Sequence, residues 1–262
     1  MYGVPLDRRL FEVATVLSVV HAALNGDRVH PSAPRSPDEL AAEARAAVDA
    51  GARTLHMHPY DAGGAQTLLP EPCGAAVRAV RASCPQVPIS LSTSAGIEPG
   101  PRRRLELIAG WLELPELVTA NQGEDGIVEL CELLLARGVG IEAGLLSVAD
   151  AEVFLASGLV PRCVRVLVEP LDSDPDAALA HAEAIERVLN DGRIALEQVH
   201  HGDGIASWAV NRRAAARGHG IRTGLEDTPV LPDGRPAAGN GELVAAAAAL
   251  IDEVSTNAAA GP

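Results

Sequence analysis

The sequence predicts an α/β protein, a single-domain (β/α)8 barrel over residues 1–262, from its length and from the alternation of its elements. The chain has 262 residues, close to the ~250 that one such barrel needs. Eight β-type apolar runs alternate with eight amphipathic helical patterns. An open, doubly wound sheet is the competing architecture. Neither of its phosphate loops, GxGxxG or GxxxxGK[ST], occurs here, and the closed barrel is favoured.

The eight predicted strands are short runs rich in apolar residues. They lie at residues 14–25, 53–60, 87–94, 116–122, 139–145, 163–170, 194–201 and 221–227. The predicted helices lie at residues 36–51, 70–83, 101–112, 126–138, 147–158, 174–192, 204–218 and 239–255. Ser36, Pro37 and Glu39 combine a capping hydroxyl, a first-turn proline and a first-turn acid, which is typical of a helix start. Gly192 is expected to end its helix in a left-handed turn.

Charge and hydropathy limit the partners. The net charge of −14 disfavours nucleic acids and anionic membranes, because both require a basic surface. The apolar runs are shorter than the ~20 residues of a membrane span, and the N-terminal residues lack a signal-peptide pattern. We therefore expect a cytoplasmic protein that acts on small molecules.

The basic residues exclude one class of mechanism. All 21 are arginine, and no lysine occurs in the chain. Pyridoxal-phosphate enzymes and Schiff-base aldolases are therefore excluded, because both need a reactive lysine amine. Carbonyl chemistry would need another electron sink, such as a metal ion. The 4 cysteines are isolated along the chain, which predicts buried thiols.

Two histidines on the second predicted strand are the first candidates for metal ligands. His56 and His58 are two residues apart, so both side chains point to the same face of a strand. Barrel enzymes work at the carboxyl ends of their strands, and both imidazoles lie near that end. A single histidine is more often a core residue, but this pair favours a metal site.

A carboxylate on the last predicted strand can complete the site. Strand parity puts Arg222, Gly224 and Glu226 on one face, and the eighth strand neighbours the first in a closed barrel. Two histidines and one glutamate with an open position form a catalytic type of zinc site. The alternative is that Glu226 and Asp227 only cap the final helix or pair with arginine.

Other polar residues end the middle strands. Ser92, Thr119 and Asn121 could hold a carboxylate or carbonyl oxygen through hydrogen bonds, although such residues are also common in turns. His201 ends the seventh strand and Glu169 the sixth. Each is predicted either to contact the substrate or to have a packing or pairing role.

The motifs together resemble the beta-keto acid cleavage enzymes. The segments that carry the likeness are HMHPYDAGG, LSTSAG, ELVTANQG and IRTGLEDTPVLPDGRPAAGN, and the resemblance runs from about residue 22 to residue 250. It implies a TIM barrel with one Zn²⁺ bound by His56, His58 and Glu226. It also implies a reaction in which a β-keto acid and acetyl-CoA give acetoacetate and a new acyl-CoA by a retro-Claisen route.

The resemblance assigns further roles. Ser92 and Thr119 correspond to substrate contacts, Arg222 and Asp227 to an arginine–aspartate pair beside the zinc glutamate, and Glu142 to a glutamate on the fifth strand. In this hypothesis Asp227, coupled to Arg222, is the base. Asn121, Arg28 and His201 are further predicted substrate contacts. A homotetramer is expected by resemblance.

The chain departs from the family pattern at three places. Arg28 lies in the region where the founding member carries a glutamate that recognises an amino group. An arginine cannot bind an ammonium, so we expect a substrate with an anionic or polar tail. Tyr60 replaces an arginine after the two histidines, and Ser94 with Ala95 replaces a glycine pair.

Two other function classes stay open. Metal-dependent barrel hydrolases also use an HxH pair, but usually on the first strand and with further histidines on strands five and six. A barrel that binds a metabolite or zinc without turnover is the non-catalytic alternative. Assays of acetoacetate formation and of ester or amide hydrolysis would separate these classes.

Overall fold

The computed structural model describes residues 19–259, which form a closed barrel of eight parallel strands surrounded by eight helices. The strands are β1 Val20–Ala23, β2 Thr54–Met57, β3 Ile89–Ser92, β4 Leu117–Asn121, β5 Gly140–Leu145, β6 Arg165–Val168, β7 Glu197–His200 and β8 Gly220–Thr223. Each strand pairs with the next along the chain, and β8 pairs with β1. This architecture is the (β/α)8 barrel that the sequence predicts, in a single domain.

A helix follows every strand. The helices are α1 Pro37–Asp49, α2 Pro70–Ser83, α3 Pro101–Ala109, α4 Ile127–Ala136, α5 Val148–Ala156, α6 Pro175–Asp191, α7 Ala206–Ala216 and α8 Asn240–Ala259, and a short 3-10 helix, Val160–Arg162, precedes β6. Helix α1 begins with the predicted cap. The hydroxyl of Ser36 accepts from the amide of Glu39, and the Glu39 carboxylate accepts from the amide of Ser36.

Most strands are shorter than the apolar runs that predicted them. The first run covers residues 14–25, of which 14–18 lie outside the described residues, as does the N-terminal segment in which no signal peptide was expected. The last run, residues 221–227, is extended only to Thr223. Gly224 has a φ of 154° and begins a turn there, so the prediction of a strand as far as Asp227 was wrong.

The apolar core lies between the strands and the helices and is built mainly from Ala, Val, Leu and Ile. The four cysteines are unpaired and buried, as the sequence predicts. Among residues 19–259, no helix combines the length and the apolar character that crossing a bilayer requires.

The inside of the barrel is polar, unlike the apolar fill of a typical barrel of this kind. The Nη1 atom of Arg165 on β6 lies 2.7 Å from Nε2 of His21 on β1. Ser90 on β3 donates a hydrogen bond to Glu142 on β5. Both contacts join strands that are not neighbours in the sheet, so they cross the interior. The functional site therefore rests on a layer of buried charged and hydroxyl groups.

Candidate metal centre and active site

Two imidazoles project into the mouth of the barrel from β2 and the residue just beyond it. His56 lies on the strand, and His58 follows its end, with both side chains on the same face. The backbone of His58 is fixed by Asn25, whose side chain accepts from the His58 amide at 2.9 Å and donates to the His58 carbonyl at 2.8 Å. The two ring centroids are 5.2 Å apart and the rings are nearly perpendicular.

A tight turn after β8 brings Glu226 against the two histidines. The amides of Asp227 and Thr228 donate to the carbonyl of Gly224, and the amide of Glu226 donates to the carbonyl of Ala23 on β1. A Cβ atom on Gly224 would overlap that Ala23 carbonyl, so only glycine fits this close approach. The turn, rather than strand parity, therefore directs both Glu226 and Asp227 toward the barrel mouth.

The ligand atoms of His56, His58 and Glu226 all lie within 4.8 Å of one another. Oε2 of Glu226 lies 3.4 Å from Nε2 of His56 and 3.4 Å from Nε2 of His58. A tetrahedral zinc with bonds of about 2.0–2.1 Å holds its ligand atoms about 3.3–3.4 Å apart. Among the residues the structure describes, this is the one group of three that could hold a metal.

Unpartnered atoms at the same point support this fit. Nε2 of His58 and Oε2 of Glu226 are buried, and neither has a hydrogen-bond partner. Buried polar atoms are normally paired, because an unpaired one costs about 1–3 kcal/mol. A divalent cation would satisfy both atoms, so the residues present fit such an ion.

The pKa directions indicate a neutral His56 beside an ionised Glu226. Burial, together with Arg222 and despite the Glu226 carboxylate, lowers the pKa of His56 to about 3. Burial would raise the pKa of Glu226, but His56, Arg222 and His58 hold it well below its usual range. Burial opposes charge on His58, yet Glu226 and Gln66 raise its pKa. A positive charge beside the Glu226 carboxylate is therefore favourable, and either a proton on His58 or a bound cation can supply it.

A second cluster lies beside the candidate metal ligands, around Arg222. Its guanidinium donates to both oxygens of Asp227, at 2.7 and 3.2 Å, and to Oε1 of Glu226 at 3.0 Å. His201 lies between two carboxylates, with Nδ1 at 3.3 Å from Asp227 and Nε2 at 3.4 Å from Glu169. All five side chains are buried or nearly so.

Pairing decides the protonation states in this cluster. Burial and the Arg222 charge oppose a proton on His201, but Asp227 and Glu169 raise the pKa of His201 to about 9. Burial would raise the pKa of Asp227, and Arg222 and His201 lower it. Asp227 is therefore a carboxylate, and His201 is cationic at neutral pH.

The predicted hydroxyl and amide contacts occupy different places. Oγ1 of Thr119 is 3.3 Å from Nδ1 of His56, so Thr119 contacts the back of a candidate ligand. Ser92 is buried at the end of β3, and its hydroxyl accepts from the amide of Ser94. Asn121 donates to Glu124, and a Cβ atom added at Gly144 would overlap its Oδ1. The structure places these residues around the mouth without bringing them all to one point.

Glu142 lies below the candidate metal ligands, where it accepts from Ser90. Burial raises the pKa of Glu142 despite the nearby Arg165. The hydroxyl of Ser90 is in turn 3.5 Å from Nδ1 of His56. Glu142 therefore reaches the site through Ser90, which the sequence analysis did not identify because one serine inside a strand carries no distinctive pattern.

Arg28 spans the rim of the mouth. Its guanidinium forms an ion pair with Asp203 and donates to the carbonyls of Glu226 and Asp227. Its charge is therefore already paired, which the sequence did not reveal, because Asp203 lies 175 residues away along the chain. Gln66 is another contact that sequence reasoning missed. Its Oε1 lies 2.8 Å from Nδ1 of His58.

Solved structures share the barrel. The apo structure of ObcA is 17% identical with a TM-score of 0.69, and the likeness covers 87% of this chain and 63% of that one. A ternary complex of ObcA with a C4-CoA adduct and oxalate is 16% identical, with a TM-score of 0.70, and 87% and 65% are covered. This chain thus spans a little less than two thirds of the ObcA length. At this identity the likeness shows the fold alone.

Sequence relatives identify the family. The 3-keto-5-aminohexanoate cleavage enzyme of Acetoanaerobium sticklandii is 26% identical over 268 residues, covering 90% of this chain and 92% of the relative. The enzyme of the same name from Fusobacterium nucleatum is 27% identical over 262 residues, with the same shares covered. A profile described as beta-keto acid cleavage enzyme matches residues 18–157 and 148–261, which together span most of the sequence. The chain therefore belongs to the beta-keto acid cleavage enzyme family.

Proposed function

We propose that this protein is a zinc-dependent enzyme that condenses a β-keto acid with acetyl-CoA and releases acetoacetate and a new acyl-CoA. Family membership supports cleavage of a β-keto acid. The observation that supports a metal ion is the convergence of His56, His58 and Glu226, because Nε2 of His58 and Oε2 of Glu226 are buried there without hydrogen-bond partners. When bound, the ion supplies a Lewis acid for the substrate carbonyl, the role that an absent lysine cannot fill.

The charges around the mouth explain why a cation is needed. Two positive side chains face three carboxylates there: Arg222 and His201, and Glu169, Glu226 and Asp227. This leaves an excess of one negative charge, which a proton on His58 can at most cancel. A divalent ion reverses the sign, and the site then attracts the carboxylate of a β-keto acid.

Asp227 is the base in this proposal. Arg222 and His201 hold it ionised and fix the direction of its oxygens. It takes the proton from the carbon between the two carbonyls of the substrate. That carbon attacks the thioester of acetyl-CoA, a carbon–carbon bond forms and the CoA thiolate leaves.

The second half of the reaction returns the proton. The CoA thiolate attacks the original keto carbon and the bond from that carbon to the α-carbon breaks, which gives the new acyl-CoA. The departing carbon fragment takes the proton back from Asp227 and leaves as acetoacetate. Hydroxyl and amide groups that keep the substrate in a reactive orientation can contribute several kcal/mol to such a step. We assign that role to Ser92, Thr119 and Asn121.

The rim of the mouth suggests the kind of substrate. Arg28 carries a positive charge that Asp203 neutralises. An ammonium group at this position would meet a guanidinium, so an amine-bearing keto acid fits poorly. Because Asp203 already pairs with Arg28, the rim favours a polar tail and attracts an anionic one only weakly. Homotetramer formation and a cytoplasmic location stay predictions, made from the resemblance and the composition.

A panel of β-keto acids tests the function. The purified chain is incubated with each acid and acetyl-CoA, and acetoacetate and the new acyl-CoA are measured together. We expect the two products in equal amounts from at least one acid with a polar tail. Hydrolysis of esters or amides would instead indicate a barrel hydrolase. A metal-bound chain that forms no CoA product from any acid would indicate a binding protein without turnover.

A further inference from the structure

A chain of hydrogen bonds runs from the candidate ligand His58 to the backbone beside Glu226. Nδ1 of His58 is 2.8 Å from Oε1 of Gln66. Nε2 of Gln66 is 3.4 Å from the hydroxyl oxygen of Tyr60. That hydroxyl donates to the carbonyl of Gly26 at 2.6 Å. Gly26 packs on the side chain of Glu226, where a Cβ atom would overlap it.

The direction of each hydrogen bond in this chain is determined. Tyr60 has a single hydroxyl proton and the Gly26 carbonyl can only accept, so the proton is used there. Tyr60 must then accept from Gln66, which puts the amide nitrogen of Gln66 toward Tyr60 and its oxygen toward His58. An amide oxygen cannot donate, so Nδ1 of His58 carries the hydrogen. Nε2 of His58 is left with a free lone pair.

The surroundings hold this arrangement in place. The guanidinium of Arg35 stacks over the Tyr60 ring, 4.2 Å from its centroid. Tyr60 and Gln66 form an isolated antiparallel bridge, which fixes the distance between their side chains. Asn25 fixes the backbone of His58 on the other side. The imidazole therefore has little freedom to turn.

The contacts behind His56 are longer and constrain its ring less. Its Nδ1 faces the hydroxyls of Thr119, at 3.3 Å, and Ser90, at 3.5 Å. Ser90 already donates to Glu142 and can only accept from the ring, but this contact is long, and the nearer Thr119 hydroxyl can donate or accept. Of the two candidate histidine ligands, His58 has the more firmly fixed tautomer, because its Nδ1 lies 2.8 Å from an amide oxygen that can only accept.

We propose that Gln66 and Tyr60 are positioning residues that hold His58 in the Nδ1–H tautomer and thereby set the affinity of the chain for zinc. The affinity part rests on the proposed function, in which His58 is a ligand. Partners of this kind behind a metal-bound histidine typically change metal affinity by roughly 10–100-fold.

The test uses the full-length chain with Gln66→Leu, Tyr60→Phe and Gln66→Glu. Gln86→Leu, at an exposed glutamine in the turn after α2, is the matched control. Zinc affinity is measured by competition with a chelator. We expect a loss of roughly 10–100-fold in Gln66→Leu and a smaller loss in Tyr60→Phe. Wild-type affinity or better is expected in Gln66→Glu, whose carboxylate also accepts from Nδ1–H, and no change in the control.

The tautomer is measured separately, by the ring ¹⁵N signals of His58 in metal-free protein at a pH where the ring is neutral. We expect hydrogen on Nδ1 in the wild type and a tautomer mixture in Tyr60→Phe, which removes only one oxygen and should fold. Hydrogen on Nε2 in the wild type, or unchanged zinc binding in both Gln66→Leu and Tyr60→Phe, would overturn the proposal. A wild-type chain that has the Nδ1–H tautomer but binds no zinc would contradict the metal-dependent function and support the tautomer assignment.

Discussion

The proposed metal site shows how far individual residues in a sequence can predict a site, through His56, His58 and Glu226. The two histidines share a strand face because side chains alternate along a strand, and that spacing is visible in the sequence. Glu226 lies at the same site, but strand alternation, the predicted reason, does not place it there. A turn at Gly224, which alternation cannot foresee, carries it there. The sequence thus predicted all three proposed ligands, but only the structure explains the position of Glu226.

The residues that the sequence did not reveal gain their roles from contacts that no motif records. Gln66 lies in a loop without a motif, and Asp203 pairs with Arg28 across the rim. Ser90 is one of several serines near the third strand. Asp203 and Ser90 contact residues that only the folded barrel brings near, whereas Gln66 contacts His58 within the segment after β2.

At the residue scale, Asp227→Asn separates the proposed base from the metal ligands. The asparagine cannot accept the α-proton, so we expect turnover to fall by about 100-fold or more. Metal content should remain, because Asp227 is not one of the three proposed ligands. The measurements are product formation and elemental analysis of the same preparation. Loss of metal, with normal turnover in the fraction that keeps it, would show that the two roles are assigned wrongly.

At the scale of elements, β8 and the turn after it show that a sequence pattern can predict a strand without predicting where it ends. An apolar run with a glycine inside it predicts a strand, but a φ of 154° at Gly224 ends the extended backbone. Helix α6 gives a second case. Gly192 was expected in the left-handed turn, yet its φ is −73°, and Arg193 adopts the left-handed conformation with a φ of 55°. A single glycine marks the end of a helix only to within about a residue.

At this scale, Gly224→Ala tests the close approach of β8 to β1. The new methyl group would overlap the Ala23 carbonyl, so we expect the free energy of unfolding to fall by about 3 kcal/mol or more. Gly138→Ala is the matched control. Its φ of 82° is also left-handed, but no atom lies near the added carbon, and a loss of about 1 kcal/mol is expected. Equal losses in urea unfolding would contradict the steric argument.

For the whole molecule, the alternation of eight strands with eight helices was enough to predict the barrel, because few architectures accommodate that order. The polar interior was not predicted. His21 on β1 contacts Arg165 on β6 and Glu142 on β5 across the barrel, and both partners are far from it in sequence. Global topology follows from a repeated local pattern, whereas pairing across the interior does not.

An ion cluster on the outside of the barrel couples stability to pH. Glu186 on α6 is buried, accepts from Arg217 at 2.7 Å, lies 3.1 Å from Nε2 of His219 and forms an ion pair with Arg213 at 2.6 Å. Burial would raise the pKa of Glu186, but these hydrogen bonds outweigh it and lower the pKa to about 2 from an ordinary value of 4.5. A depressed carboxylate pKa stabilises the fold above the unfolded-state value. That stabilisation is lost as the pH falls from about 4.5 toward 2.

The Glu186→Gln variant tests this coupling. At pH 7 we expect it to lose about 2–3 kcal/mol of unfolding free energy, and the difference from the wild type should shrink as the pH falls below about 4.5. Glu183→Gln, on the same helix at an exposed ion pair, should change stability by less than about 0.5 kcal/mol. A deficit in Glu186→Gln that is constant across this range would show that the carboxylate charge is not responsible.

The most direct test of the whole account is the zinc content of the purified full-length chain, measured together with its turnover of a β-keto acid and acetyl-CoA. We predict one zinc per wild-type chain. We also predict that His58→Ala loses both the zinc and the turnover while its circular dichroism spectrum stays that of the folded barrel. Full turnover by a chain that contains no metal would contradict the central claim.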